Sequence, residues 1–308
     1  MNTFRQFVKS QPFDLSLREE KSATSVTTSN RHVVLRPHPL AAMGDNFEHE
    51  CVYNPAAIEK NGKIHLLYRA EDKYGEYVSS IALATSDDGV KFQRHSGNPV
   101  ITPETKEEQR GCEDPRITYL DGKYYLFYTA FDGDEVNVSM AVSEDLVNWK
   151  KEGVVVADTK SFALFPQKIN GRFAGLVGDK NVSLAYSDDL IDWKIEKKPL
   201  LRPRPNSFDS HLVETGPPPF LHNGKWHVIY NSSDKTSYNV GLCVLEKNDL
   251  GVIHRSEKPF FSPRESWEKF GKVNNVVFAT GLASINNKLM LYYGGADKVV
   301  GVTEISIS

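Results

Sequence analysis

One device recurs five times along this chain, a tight turn followed by a strand rich in aromatic residues. Asn61-Gly62 leads into KIHLLYRA, Asp121-Gly122 into KYYLFYTA and Asn170-Gly171 into RFAGLVGD. Asn223-Gly224 leads into KWHVIYNSS, and Asn286-Asn287 into KLMLYYGGAD. The copies are spaced by roughly 50 to 60 residues, the range of a repeat architecture whose units share a continuous core. Asn-Gly and Asp-Gly suit two-residue hairpin turns, because both central residues must take positive φ.

A second motif follows most copies: IALATSDDGVKF at 81–92, VSMAVSEDLVNW at 138–149 and VSLAYSDDLIDW at 182–193. Degenerate versions are VGLCVLEKNDL at 240–250 and the closing VVGVTEISIS. Each unit reads as strand, hairpin turn, strand, strand and an acidic turn closed by an aromatic. Phe92, Trp149 and Trp193 read as core plugs between neighbouring units. Four short antiparallel strands repeated in this way predict an all-β chain folded as a five-bladed β-propeller. A pair of β-sandwiches is the alternative, disfavoured by five turns in register. Residues 1–45 are expected to form an N-terminal extension, with a short helix over FRQFVKSQ, and residues 46–308 the propeller.

The 308 residues are 40% hydrophobic and 25% charged, so a sizeable core is available, and the net charge of −3 does not favour nucleic acid or an anionic membrane. No apolar run reaches the roughly 20 residues of a membrane helix. The first residues lack the apolar core of a signal peptide. A cytoplasmic setting is the expectation, or a periplasmic one for a chain whose leader has been removed. Three widely spaced cysteines, Cys51, Cys112 and Cys243, suggest neither a disulfide framework nor a zinc site. His211, His222 and His227 lack metal-ligand spacing. No metal and no cofactor are expected, the sequons at Asn137, Asn181 and Asn231 mean little without a secretory route, and the charged run ETKEEQR at 104–110 reads as a solvated loop.

In a propeller the innermost strands converge on an axis. The positions equivalent to one another along those strands are Asn54, Asp114 and Gly216, each followed by proline, with Phe165-Pro166 slightly out of register in the third unit. Glu113, Asp114 and Arg116 therefore belong at a funnel mouth, where carboxylates among hydroxyl partners suit sugar chemistry. The competing reading is an Asp114–Arg116 pair that only holds a strand entrance. Asn54, Arg69, Glu214 and Asp297 at matching positions weaken it.

VYNPAAI at 52–58, LLYRAED at 66–72, GCEDPRI at 111–117, LFPQKINGRF at 164–173, TGPPPF at 215–220, NVVFATG at 275–281 and LYYGGAD at 291–297 together resemble glycoside hydrolase family 130. The resemblance implies a five-bladed propeller acting on β-mannosides. Most members are inverting phosphorylases, and a smaller group hydrolyses β-1,2-linked mannosides. It further implies that Asp114 is the general acid, relaying its proton through a sugar hydroxyl. Asn54, Arg69, Arg116, Lys168 and Asp297 would hold mannose in the −1 subsite, with His211 able to reach it.

A phosphorylase must hold a phosphate dianion with several basic donors. As aligned with the family, three of these are replaced here, in GLVGDK, in His211-Leu212-Val213-Glu214 and in Tyr230-Asn231-Ser232. Lys180 is the one base left that could supply a phosphate contact from a shifted register. A glutamate facing the anomeric carbon would repel phosphate and activate water. The expectation is therefore an inverting, exo-acting β-1,2-mannosidase, cleaving a mannose-containing oligosaccharide. Asp114 is its acid, Glu214 the first candidate base, Glu268 the second and Glu257 a distant third. A β-mannoside phosphorylase and a sugar-binding propeller without catalysis are the alternatives.

Overall fold

The computed structural model describes residues 26–38, 47–72 and 78–308. The helix expected over FRQFVKSQ lies outside the described residues. The remainder is built almost wholly of antiparallel strands.

Strand β1 (Val26–Leu35) is followed by β2 (Cys51–Lys60), β3 (Lys63–Glu71), β4 (Ser79–Ser86) and β5 (Gln93–Arg94), which form one antiparallel run. The next run is β6 (Gly111–Leu120), β7 (Lys123–Phe131), β8 (Val136–Ser143) and β9 (Lys150–Val156). A single parallel bridge, Ser79 to Gly111, joins it to the first. A third sheet holds β10 (Phe162–Leu164), β11 (Phe173–Val177), β12 (Ser183–Ser187) and β13 (Lys194–Ile195). A fourth holds β14 (Leu212–Thr215), β15 (Phe220–His222), β16 (Lys225–Ser233), β17 (Tyr238–Leu245) and β18 (Val252–Arg255). In the last, β19 (Val277–Ile285), β20 (Lys288–Gly295) and β21 (Val299–Ile307) are completed by β1.

That last pairing corrects the expected boundary. Residues 26–35 fall in the stretch read as an extension, yet Val26 pairs with Ile307 and Leu35 with Val300. The first described strand is thus an edge of the sheet made by the last three.

Five hydrophobic clusters lie between consecutive strand groups. One joins Ile117 and Leu126 to Leu67 and Leu83; the next joins Phe127 and Val138 to Phe162 and Ala185. Leu176 then meets Trp226, and Leu242 meets Leu291. A final cluster brings Tyr292 and Val302 back against Val52 and Tyr68. The expected plugs sit in these clusters. Phe92 meets Tyr292 edge-on, while Trp149 and Trp193 donate their indole N–H groups to Leu146 and Leu190 carbonyls, which also keeps each ring's polar atom satisfied. The acidic turns are structural: the side chains of Asp88, Asp145 and Asp189 each accept backbone N–H bonds from two and three residues onward.

A further repeat escaped the sequence reading. The sixth residue after the turn is Tyr68, Tyr128, Tyr230 and Tyr293 in four of the units. Each tyrosine hydroxyl donates to a buried carboxylate, of Glu48, Glu108, Asp209 and Glu268 respectively. Each carboxylate also meets a base carried by an outer strand: Arg94, Lys151, Arg255 and Arg31. A buried carboxylate is tolerated only with such full pairing, so each bolt fixes a middle strand, an outer strand and the loop carrying the acid. The third unit has Val177 at this position and, among the described residues, no counterpart.

Glu268 is therefore misassigned as a base. It is fully buried in α1 (Ser266–Lys269), where it caps the helix, accepts from Tyr293 and Arg31, and accepts the Arg264 and Glu265 backbone N–H groups. No face of that carboxylate is left for water. Replacing it, Glu268→Gln, strands the Arg31 charge and is expected to lower unfolding stability by about 3 kcal/mol in urea titrations. A variant as stable as the parent would show that the bolt is dispensable.

Candidate active site

Strands β2 and β6 bend where the sequence places their Asn-Pro and Asp-Pro steps. Asn54 and Asp114 take φ of 45° and 48°, and the ladders slip between Tyr53 and Ala56 and between Glu113 and Arg116. Asn and Asp tolerate this left-handed conformation better than other non-glycine residues, and the bulge re-aims their side chains out of the ladder. The two side chains meet, Asn54 Nδ2 donating to Asp114 Oδ1 at 2.9 Å. The approach requires glycine at 294, since a Cβ there would lie 2.2 Å from Asn54 Oδ1.

Arg69, from β3, organises the acids. Its Nη1 reaches Asp114 at 3.3 Å, its Nη2 reaches Glu113 at 2.7 Å, and its Nε donates to Ser79 at 2.9 Å. Behind it, Glu71 lies 3.8 Å from Nη2 and is gripped through both oxygens by Lys272, at 2.7 and 2.6 Å. Burial raises the proton affinity of Asp114, but the charges of Arg69, Arg116 and Lys160 and the Asn54 bond outweigh it, holding the carboxyl below its usual range. Glu113 goes the other way, pushed up by burial and by the charge of Asp114 against the pull of Arg69. Asp297, at φ 49°, is pushed up to about 6, first by burial and then by the charge of Asp114.

Glu214 is 3% exposed. Ser161 donates to its Oε1 at 2.5 Å, and the Lys160 ammonium stands 3.7 Å from the same oxygen. Burial raises its proton affinity, with Lys160, Arg116 and Ser161 opposing. Lys160 is itself held firmly protonated, chiefly by the charge of Glu214. About a third of the Lys160 side chain remains accessible.

The structure brings some of the expected residues together and separates others. Asn54, Arg69, Asp114, Glu214 and Asp297 come together, although they lie on strands or turns of four units, Asn54 and Arg69 sharing one. Arg116 does not present donors to a ligand: it is 1% exposed and its guanidinium is spent on the carbonyls of Asp114, Thr215 and Gly216. It bolts β6 to β14. Lys168 is exposed, lies over the Phe173 ring at 4.3 Å and sits beside the Asn170-Gly171 turn, at the opposite strand ends. His211 is an exposed residue at the start of β14 whose backbone N–H donates to Ser233. Lys180 and Glu257 are exposed as well. Asn231, where the aligned family has a histidine, is wholly buried and clamps both backbone groups of Ala279.

Lys160 and Ser161 were missed. They precede β10, a strand of only three residues, so counting from the turn glycine lands past them. Their signal was the out-of-register Phe165-Pro166 step, which marks a shortened strand and moves the functional side chains upstream. With Asp114→Asn, the like charge beside Asp297 disappears. The Asp297 carboxyl, followed by carbon-13 NMR across pH 3–8, is expected to titrate below its parent midpoint, part of the way to an ordinary aspartate. An unmoved midpoint would separate the two groups.

A family model described as beta-1,4-mannooligosaccharide phosphorylase matches residues 24–308. The 1,2-beta-oligomannan phosphorylase of Thermoanaerobacter sp. (strain X514) is 41% identical over 278 residues, covering 87% of this chain and 94% of the relative. A glycosyl hydrolase structure from Bacteroides ovatus superimposes with TM-score 0.83 at 32% identity, covering 92% of this chain and 94% of that one. Another solved structure, described by the words "The GH130 family of mannoside phosphorylases contains glycoside hydrolases that target beta-1,2 mannosidic linkages in Candida mannan", gives TM-score 0.85 at 29% identity, covering 94% and 95%. The expected kinship therefore holds across nearly the whole described chain: this protein is an enzyme of glycoside hydrolase family 130.

Proposed function

We propose that the protein is a β-1,2-mannoside phosphorylase built on a five-bladed propeller, releasing mannose 1-phosphate from the chain end of its substrate. The five-bladed reading is supported by five strand groups and five intervening clusters, the last of which returns to the first. The linkage is supported by the names of the relatives, a 1,2-beta-oligomannan phosphorylase and a beta-1,2-mannobiose phosphorylase, the latter 37% identical over 277 residues.

The observation that carries phosphorolysis is the Lys160–Glu214 pair. Hydrolysis was expected because an unpartnered Glu214 would repel phosphate and hold water. Unscreened, a carboxylate and a phosphate charge 4 Å apart repel by about 4 kcal/mol at an effective dielectric near 20. Glu214 is not unpartnered. Lys160 offsets its charge, Ser161 occupies one of its oxygens, and the second base candidate is locked in a structural bolt. The partly accessible ammonium is left as the donor for an incoming anion.

In this reading Asn54, Arg69 and Asp297 hold the terminal mannose over Asp114. Asp114 supplies the proton that the glycosidic oxygen takes, through a sugar hydroxyl, as the C1–O bond breaks. A phosphate oxygen bonds to C1 from the opposite face, inverting the β-linkage to α-mannose 1-phosphate. Asp114 is acidic in the free protein because cations surround it. Saccharide and phosphate together exclude water and add negative charge, and both changes raise its proton affinity.

Incubation with β-1,2-mannobiose and inorganic phosphate is expected to yield mannose 1-phosphate and mannose in equal amounts, and nothing when phosphate is omitted. Free mannose formed at the same rate without phosphate would return the assignment to a hydrolase. Asp114→Asn is expected to lower kcat by about 10³-fold or more, within the range of an essential proton donor. Lys160→Met is expected to raise the KM for phosphate about tenfold or more, with the saccharide KM little changed. Equal effects on both constants would remove Lys160 from the phosphate side.

A further inference from the structure

Among the described residues, most exposed large apolar side chains belong to outer positions. Val154 lies on β9, Ile195 on β13 and Val252 and Ile253 on β18, while Ile191 lies in an acidic turn leading to β13. Phe270 and Val273 do not. They stand 72% and 42% exposed on the short loop between α1 and β19.

That loop is fastened to the active site. Gly271 packs so closely on Ala296, the residue before Asp297, that a Cβ would lie 2.3 Å from the Ala296 carbonyl oxygen. Val273 N–H donates to the same carbonyl at 3.2 Å. Lys272, between them, reaches inward to Glu71, which backs Arg69. Asn275 ties the loop back to Lys269 and, through its carbonyl, to the Tyr238 N–H that opens β17. Phe270 is therefore an exposed aromatic ring on a pinned loop whose next residues bind Ala296, beside Asp297, and Glu71, behind Arg69.

We infer that Phe270, with Val273, is a shelf on the leaving side of the pocket, where the third sugar of an oligomannoside packs. A pyranose ring has one face of C–H groups, so an exposed aromatic ring is its natural partner. The polar pocket satisfies the hydroxyls of the terminal sugar, and the shelf covers apolar surface on a sugar further out. Continuity with the site through Gly271, Ala296 and Asp297 favours this occupant over a second copy of the chain. The inference rests on the β-mannoside reading and adds a chain-length preference to it.

The test compares β-1,2-mannobiose with β-1,2-mannotriose as substrates for phosphorolysis by the parent, Phe270→Ala and Phe270→Trp. Phe270→Ala is expected to raise the KM for the trisaccharide about fivefold, as expected from losing part of one aromatic side chain's burial, leaving kcat and both constants for the disaccharide within about twofold. Phe270→Trp, which keeps a ring, is expected to retain the preference. Equal effects on the two saccharides, no effect on either, or a changed molecular mass in light scattering with the preference intact would overturn the shelf. A parent inactive on both saccharides would sink the phosphorylase reading instead. Equilibrium binding of mannotriose would then decide the shelf by the same comparison, weaker binding to Phe270→Ala supporting it and unchanged binding overturning it.

Discussion

The active end of this molecule depends on balancing carboxylates that would otherwise repel one another. Glu71, Glu113, Asp114, Glu214 and Asp297 gather there from several strands and turns, and Arg69, Arg116, Lys160 and Lys272 hold them. Arg69 is central, because one guanidinium touches both members of the Glu113–Asp114 pair and is itself backed by Glu71. Neither sign could be gathered alone: an uncompensated buried charge costs several kcal/mol. The balance also divides the acids by proton affinity. Asp114 is held low while Glu113, Glu214 and Asp297 are raised. Groups set apart in this way are what acid–base chemistry requires.

The bolts explain how so polar an end coexists with a firm body. In four units a tyrosine, a buried acid and a base lock the middle strand to its surroundings at the same register position. The unit that lacks the bolt, with Val177, opens on a strand of only three residues and contributes Lys160 and Ser161. Its neighbours supply rigidity, and the released backbone ahead of β10, with Ser161 at φ 63°, turns those side chains toward Glu214.

The repeat was legible because turn chemistry is local: positive φ demands Asn, Asp or Gly, and the strands announce themselves by composition. Asn54, Arg69, Asp114 and Asp297 were legible for the same reason, being fixed offsets from those turns. Strand β1 was not, since VTTSNRHVVL belongs to no repeat and gains its partner only from the far end of the chain. Glu268 and Arg116 looked chemical because carboxylate and guanidinium groups are ambiguous until their partners are known. The structure gives those partners, and both residues turn out to be fastenings. Glu214 has an electrostatic meaning that depends on Lys160, which is close in space and 54 positions away in sequence.

The proposed phosphorolysis requires that a cation, not a lone carboxylate, face the anomeric carbon from the side opposite the leaving group. Phosphorus-31 NMR of inorganic phosphate with the protein and mannose present reads this directly. Line broadening is expected to saturate with protein and to be lost in the Lys160→Met variant. Phosphate lines that stay sharp in the parent, or broaden equally in both proteins, would contradict it.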